Sequence, residues 1–528
     1  MAVVVRDIVG EVVLQEALQP STTVADLAHR TWVFLGCPEN VRVQLCEGTQ
    51  PLLEDDAIGE RAPPDCEMVL SLIKRRPVYR VVTWGNPSMT PPDSLSDVCA
   101  LRTNGRALVA LREGGALVAW GDPNFGGDVG AAASSLERGV SQVVFNDRAF
   151  AALLEDGTAV SWGDADFGGD ASSVAPLRDV ASLHSTTSAF AALKIDGSVV
   201  SWGQLGGDCR VTVAPLVGVT SVFSNPSSFC ALSETGAVVA WGDVATGGDV
   251  GSAAQHLHSV TMIFSNGRAF AALKEGGEAV TWGDSASGGD SSSVAEQLSG
   301  TVRAIYGNGR SFAALKEGGA VVTWGLASRG GDSNSVAVTL GSEVVAIFSN
   351  PWAFAALTKS GAVVSWGEPD KGGDSSAVAC HLQGVRSIST SGHAFAALKG
   401  NGAVVCWGDP ANGGDASAVA AELADGVMCV EGNGRAFAAL RGGRVVTWGD
   451  ADRGGDSSRV REQLTDVCAI FKNVWSFTAL KSHGAVVSWG HPARGGDSSS
   501  VAAEVTEGIH TVCYSGFSCA VLKEDRRW

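Results

Sequence analysis

Apolar and polar positions alternate along most of the chain in short runs cut by glycine-containing turns. In one stretch Val260-Thr-Met-Ile-Phe-Ser265 is β-rich and ends at the turn pair Asn266-Gly267. Ala269-Phe-Ala-Ala-Leu-Lys274 is a second run, and Glu275-Gly-Gly277 is a hairpin turn. Ala279-Val-Thr-Trp282 is a third run, with Val280 and Trp282 on one face by period-two alternation. Gly288-Gly289-Asp290 then precedes Ser291-Ser-Ser-Val-Ala-Glu-Gln-Leu298. This pattern predicts three antiparallel strands and a two-turn helix or helical turn, with Asp290 as its N-cap.

The same pattern recurs along the chain. Trp-Gly pairs begin at Trp84, Trp120, Trp162, Trp202, Trp241, Trp282, Trp324, Trp366, Trp407, Trp448 and Trp489, spaced by 36 to 42 residues. A Gly-Gly-Asp triplet follows each pair after the first, from Asp128 through Asp170, Asp208, Asp249 and Asp290 to Asp497. A three-stranded sheet of this size cannot bury both faces alone, so units must stack on one another. Phe270 and Trp282 fill the space between sheets, while small Ala and Gly positions let the sheets approach. The ends favour a ring over an open stack. Val78–Gly85 is a third strand without a second before it, and the chain closes on Gly516–Lys523, a second strand without a third. Pairing these halves completes a unit and removes exposed edges. Residues 78–528 number 451, which is eleven units of 41. The expected fold class is mainly β: a closed toroid of about eleven three-stranded units with short helices over 77–528, after a small α+β domain over 1–76.

Leu153-Leu-Glu-Asp-Gly-Thr-Ala-Val-Ser-Trp-Gly-Asp-Ala-Asp-Phe-Gly-Gly-Asp170 resembles the signature of regulator-of-chromosome-condensation repeats. In those β-propellers a Gly-containing hairpin leads into Val-x-x-Trp-Gly and a Gly-rich turn. This unit is shorter than most in that family and is closer in length to the bacterial β-lactamase-inhibitor propeller. The resemblance implies a β-propeller binding scaffold, since family members serve as exchange factors, inhibitors, photoreceptors and ligase modules. Fold alone does not choose among those roles.

Residues 1–76 do not repeat. Val3–Arg6, Val12–Gln15, Val41–Cys46 and Met68–Ile73 are strand-like, and Ser21-Thr22-Thr23 caps an amphipathic run carrying Val24, Leu27, Trp32 and Leu35. The order β-β-α-β-β, with Leu52-Leu-Glu-Asp-Asp56 before the last strand, is similar to ubiquitin. That resemblance implies a ubiquitin-like (β-grasp) interaction module. Lys74-Arg75-Arg76-Pro77 stands where ubiquitin ends in a diglycine, which argues against conjugation. Gln44 departs from the family's exposed apolar patch and so from ordinary receptor binding.

Composition narrows the function further. Lys and Arg total 38 against 56 Asp and Glu, a net charge of −18, which disfavours a sequence-independent grip on nucleic acid or anionic membrane. With 18% charged and 45% hydrophobic residues the chain is not disordered in bulk. It has no long apolar run and no basic leader, so a cytoplasmic or nuclear rather than secreted location is expected. The 12 cysteines scatter without a Cys-x-x-Cys pair and are expected to be buried, reduced thiols rather than disulfides or zinc ligands.

The repeat supplies an internal comparison: constant positions are scaffold, and varying exposed positions are candidates for recognition. The residue closing the first turn varies most. It is Arg106, Arg148, Arg268, Arg310, Trp352, His393, Arg435 or Trp475, with Ser188 and Ser227 elsewhere. Arg and Trp dominate protein-binding hot spots, so these eight form the candidate protein-binding set. A second varying position precedes Gly-Gly and runs from Phe125, Phe167, Leu205, Thr246 and Ser287 to Arg329, Lys371, Asn412, Arg453 and Arg494. The Gly-Gly-Asp carboxylates are one per unit and do not converge on a cation, so no metal is expected. The 9 histidines stand at unrelated positions, and His256 and His258 are read as a solvated turn. No catalytic spacing or phosphate loop stands out, so neither an enzyme nor a cofactor is expected. The expected function is a non-catalytic scaffold, monomeric, whose partner is another protein and not nucleic acid or membrane. The family resemblance implies an alternative, a ubiquitin-pathway adaptor or small-GTPase regulator. Against exchange activity stands the lack of a wedge-like insertion, and against ligase activity the lack of room for a HECT-type domain before Trp528.

Overall fold

The computed structural model describes residues 2–6, 12–17, 42–47, 50–51 and 67–75, and residues 79–524 apart from 93–94, 175, 207–217 and 515–517. The chain forms two compact units, Met1–Tyr79 with Glu524–Trp528, and Arg80–Lys523.

The first unit holds one sheet of β1 (Ala2–Arg6), β2 (Val12–Ala17), β3 (Arg42–Glu47), β4 (Gln50–Pro51) and β5 (Glu67–Arg75), in the order β2-β1-β5-β3-β4. β1 runs antiparallel to β2 and parallel to β5, with Val4 opposite Val69. β3, which contains Gln44, is antiparallel to β5. The amphipathic run from Ser21 to Leu35 lies outside the described residues.

The second unit is a succession of three-stranded antiparallel sheets, each joining three strands consecutive in sequence, from Val140–Gly163 to Val467–Gly490. A further sheet has six strands in the order Ile509–Tyr514, Ser518–Glu524, Tyr79–Gly85, Val98–Thr103, Ala107–Arg112 and Leu117–Gly121. In it the last described strand of the chain hydrogen-bonds to the strand that opens the repeats. Trp84 and Val82 pack there with Val505, Ile509, Val512 and Cys519, and the Trp84 indole donates to the Gly495 carbonyl at 2.9 Å. Among the described residues no helix is long and apolar enough to cross a membrane.

The core lies between consecutive sheets, and the motif Ala-Phe-Ala-Ala-Leu-Lys explains why. In Ala269–Lys274 the odd-numbered Ala269 and Ala271 pack on Phe312 and Trp324 of the next sheet. Phe270 and Ala272 point the other way, onto Cys230 and Leu232 of the preceding sheet. One strand thus offers a small face to one neighbour and a large ring to the other, which lets equivalent sheets nest at native packing density. Phe312 stacks on its register partner Trp324 at 5.4 Å, and both are buried. The lysine of the motif is also structural: Lys316, Lys399 and Lys481 donate to the carbonyls of Gln297, His381 and Gln463 at the end of the preceding connection.

The Gly-Gly pair is what joins neighbours. Gly288 has φ +92°, and a Cβ there would lie 2.8 Å from the Phe312 ring of the next unit. Its carbonyl accepts the Trp324 indole N–H at 3.0 Å. A Cβ on Gly289 would lie 2.3 Å from the Gly283 carbonyl oxygen, so the backbone of Trp-Gly occupies that space. The Trp-Gly tryptophans are buried as inter-sheet core.

Two expectations need correction. The segment after Gly-Gly-Asp is the helical turn rather than the two-turn helix, a 3-10 stretch at Ser292–Val294 in the unit read above. Asp290 does not cap it as N-cap. It accepts the N–H of Ser292 two residues on, at 2.9 Å, as an Asx turn. The chain has no length in which to propagate an α-helix, because Leu298 must reach its buried seat and accept from Ala279 N–H within a few residues. Asp208 lies outside the described residues. Second, the cysteines are not uniformly buried. Cys230 and Cys519 are, but Cys380 and Cys468 are exposed. Cys468 follows Val467 on an edge strand where alternation turns its side chain outward.

Candidate functional site: a rim of cations and aromatic rings

Seven of the eight first-turn candidates owe their placement to an asparagine two residues earlier. Asn146 Oδ1 accepts from the N–H groups of Arg148 and Ala149, at 3.0 and 2.8 Å. Its Nδ2 donates to the carbonyl of Phe167 at 2.7 Å. Asn308 does the same with Arg310, Ser311 and Arg329, and Asn433 with Arg435, Ala436 and Arg453. At His393 the latch is Ser391, whose hydroxyl donates to the Asn412 carbonyl. The asparagine closes the first turn and ties it to the residue before Gly-Gly. The two varying positions are therefore held side by side. Its signal in the sequence was its recurrence two residues before the varying position, as asparagine in most units and as Thr186 or Ser391 in two.

A second turn, not anticipated from the sequence, sets the other side. Asp164, which follows Trp162-Gly163, accepts from Asp166 N–H at 3.0 Å and caps the 3-10 turn Ala165–Phe167, closed by Gly168 at φ +85°. The residue before Gly-Gly thus ends this turn and projects toward the first-turn residue of its own unit and of the next.

The side chains interlock. The Arg106 guanidinium lies 4.6 Å from the Phe125 ring, and Arg148 lies 5.2 Å from Phe125 and 4.9 Å from Phe167. Farther along, the chemistry exchanges places. Arg329 lies 3.8 Å from Trp352, and Arg453 and Arg494 lie 3.5 and 3.9 Å from Trp475. Trp352 also stacks on His393, with ring centres 6.1 Å apart. The structure brings Arg106, Arg148, Trp352, His393 and Trp475 into such ring contacts. Arg268 and Arg435 instead face Asp284 and Asp450 of their own units, both at 3.8 Å. Arg310 lies beside Arg329, half-buried. The tryptophans are half-buried under these cations.

Charges follow the geometry. Burial, then the neighbouring Arg310, lowers the Arg329 pKa, and burial, then Arg435, lowers that of Arg453. Burial, then Lys371 and Arg435, holds the His393 imidazole below its ordinary value, which favours the neutral ring stacked on Trp352. Burial pushes the Asp409 carboxyl up, but its hydrogen bond and charge interaction with Lys371 outweigh this and leave it below the carboxylate norm. Two clefts, of about 360 and 470 Å³, open on the other side of the first turns, lined by residues such as Asn146, Thr186 and Tyr514, or Asn350, Thr390 and Lys472. The varying positions are not among their lining residues.

No protein-family model matches the chain, and no curated protein does. Among solved structures it is similar to Prp20p from Saccharomyces cerevisiae, described with its binding to Gsp1p and histones, at 15% identity and a TM-score of 0.28 over 56% of this chain and 82% of that one. It is similar to yeast RCC1 (Prp20) bound to Kap60, at 14% identity and a TM-score of 0.30 over 85% and 90%. It is also similar to human WBSCR16, at 14% identity and a TM-score of 0.29 over 64% and 99%. Likenesses at this identity and TM-score carry no functional inference for the present chain.

Proposed function

We propose that this protein is a non-catalytic binding scaffold. Residues 77–528 make a closed β-propeller of about eleven units, joined where the 78–85 strand meets the 516–523 strand, and its rim recruits another protein. The observation that carries this reading is the interlocking of the two varying positions into cation–aromatic stacks at Arg106, Arg148, Trp352 and Trp475, above a core of recurring Phe and Trp. Packing alone requires neither arginine nor tryptophan there, whereas protein recognition favours both. Residues 1–76 serve as a ubiquitin-like interaction module, a reading supported by the β2-β1-β5-β3-β4 order with its parallel β1–β5 pair. That sheet order also favours the second reading, an adaptor in the ubiquitin pathway.

The test is affinity capture from a cell lysate with the full chain and its Trp352→Ala/Trp475→Ala variant. A partner held by the first and lost by the second, with unchanged circular dichroism, is the expected result. A partner retained by both variants but lost when residues 1–76 are removed moves recognition to the first unit and favours the adaptor.

A further inference from the structure

We propose that the smaller of the two clefts, of about 360 Å³ and lined in part by Phe145, Asp147 and Tyr514, receives one lysine or arginine side chain from a basic segment of a protein partner, held by the Asp147 carboxylate and the face of Phe145. The varying rim residues do not line this cleft, so the site is independent of their role.

The first observation is a ring where the scaffold needs none. Phe145 ends the first strand of its unit, Val140–Phe145. Ser185, Ser224, Ser265 and Ser349 end the corresponding strands, and each hydroxyl donates to a carbonyl of the unit before, at 2.9 to 3.2 Å. Phe145 forgoes that tie and leaves 39% of its surface open. Its ring centre lies 6.0 Å from that of Phe150, so packing supports one side while the residue lines the cleft. The other cleft is built from the same turns of later units. Among its described lining residues it carries Lys472 at this strand position, paired with Glu431 at 3.0 Å, and no aromatic ring. Two equivalent clefts thus differ between ring and cation at one position.

The second observation comes from following each donor hydrogen. The hydroxyls of Thr103, Ser185, Thr186 and Thr187 donate to the carbonyls of Ala107, Phe145, Ala189 and Pro226. The latch amides of Asn104, Asn146 and Asn225 donate to the residues before Gly-Gly, and the Tyr514 hydroxyl is buried. Among the described residues no lysine, arginine or histidine lines the cleft. Arg148, next to Asp147, is turned to Asp164, and Arg102 folds onto the Leu101 carbonyl at 2.9 Å. Asp147 is exposed and forms no ion pair among the described residues. The wall therefore offers lone pairs, ring faces and one carboxylate, with its side-chain donors spent. A cation suits all three, through a charge-assisted hydrogen bond and an aromatic face. A sugar fits less well, because its hydroxyls seek donors as well as acceptors. A polyamine brings further charges for which the cleft has no second carboxylate. A single cationic head carried on a peptide matches, and the net charge of −18 draws basic segments toward the chain.

The test is fluorescence anisotropy of a labelled oligo-lysine peptide titrated with the full chain at physiological salt, which screens diffuse attraction. Saturable binding is expected. Phe145→Ser/Asp147→Asn, with the serine that equivalent positions carry, should weaken it about tenfold with unchanged circular dichroism. Asp147→Asn alone, a surface change, should weaken it about threefold. Phe145→Tyr keeps the ring face and should stay within about twofold of the unaltered chain. Phe145→Lys copies the other cleft and should weaken binding at least as much as the double variant. Glu462→Gln removes an equal charge at an exposed position outside the cleft and should change affinity by less than about 1.5-fold. Absence of saturable binding, equal weakening by Glu462→Gln and the double variant, or free spermine binding as tightly as the peptide would each overturn the inference. If Trp352→Ala/Trp475→Ala weakens the peptide as much as the cleft variant, the basic segment sits on the rim and only the cleft assignment falls. If partner capture is indifferent to those tryptophans while peptide binding follows Phe145, the rim reading falls and the cleft stands.

Discussion

Two arcs of the rim, Arg106 to Asp284 and Arg310 to Arg494, stand on equivalent positions of one scaffold and carry exchanged chemistry. In the first, Arg106 and Arg148 close their first turns and Phe125 and Phe167 precede Gly-Gly. In the second, Trp352 and Trp475 close their turns, and Arg329, Arg453 and Arg494 before Gly-Gly lie on those rings. The stack is kept while its partners change places, because the asparagine latch fixes the two backbones and leaves both side chains to choice. What differs is charge balance: Asp164 and Asp284 face arginines in the first arc, while in the second Asp450 faces Arg435 but Leu326 and His491 hold the equivalent places in the Arg310 and Trp475 units. A repeat protein can thus alter one sector of its surface without touching the packing beneath.

The comparison breaks most readily in the core. Trp162→Ala and Trp448→Ala, one beneath each arc, should each cost about 3–5 kcal/mol in equilibrium denaturation, since both indoles are buried and hydrogen-bonded to a glycine carbonyl of the preceding unit. Markedly unequal losses would show that the units are not interchangeable. Removing the latch comes next. Asn146→Ala and Asn308→Ala should each cost about 1–3 kcal/mol by leaving turn N–H groups and a carbonyl unpaired. A cost in only one arc would mean that the latch is not what aligns the rim. The rim itself should matter least to stability: Trp352→Ala and Trp475→Ala are expected to cost about 1 kcal/mol each, from lost cation–aromatic stacking, while partner capture is lost. A loss as large as that of Trp448→Ala would place these rings in the core.

Acid separates the scaffold from the rim by a smaller margin. The carboxyls of Asp290, Asp374, Asp415, Asp456 and Asp497 are held below the ordinary aspartate value, first by the backbone N–H of the serine two residues on. A folded pKa below the unfolded one means stability that is present above about pH 4 and is lost as pH falls through the lowered folded values. Each carboxyl is largely open to water, so each contribution is small. Thermal midpoints should drop more steeply below pH 4 for the unaltered chain than for Asp456→Asn. Equal slopes would exclude the Asx turns as the acid-sensitive element.

Much of the fold was legible because its causes are local. The strands of the repeat, the hairpin glycines and the Phe–Trp core follow from alternation and side-chain size, and these act within one unit and its neighbour. The short connections were misjudged for the same reason. Asp290 and the serines after it read as a capped helix, yet the buried seat of Leu298 limits how far a helix extends. The turn capped by Asp164 was overlooked because Asp-Ala-Asp-Phe carries no strong turn signal of its own. Of the site, the two varying positions were each visible as variation, but their contact was not. Residues such as Asn146 and Phe167 are 21 apart in sequence and meet only through one side-chain hydrogen bond.

The sequence by itself determined the period, the three-strand unit and the alternation of small and large faces, since hydrophobic burial and β-pleat periodicity need no knowledge of distant neighbours. Tertiary structure alone decided which variable residues meet. The indole N–H of one unit seats on the Gly-Gly carbonyl of the unit before it, and that contact sets the offset between sheets. The offset places Arg329 over Trp352 and Arg453 over Trp475, pairings that no spacing within a single unit specifies.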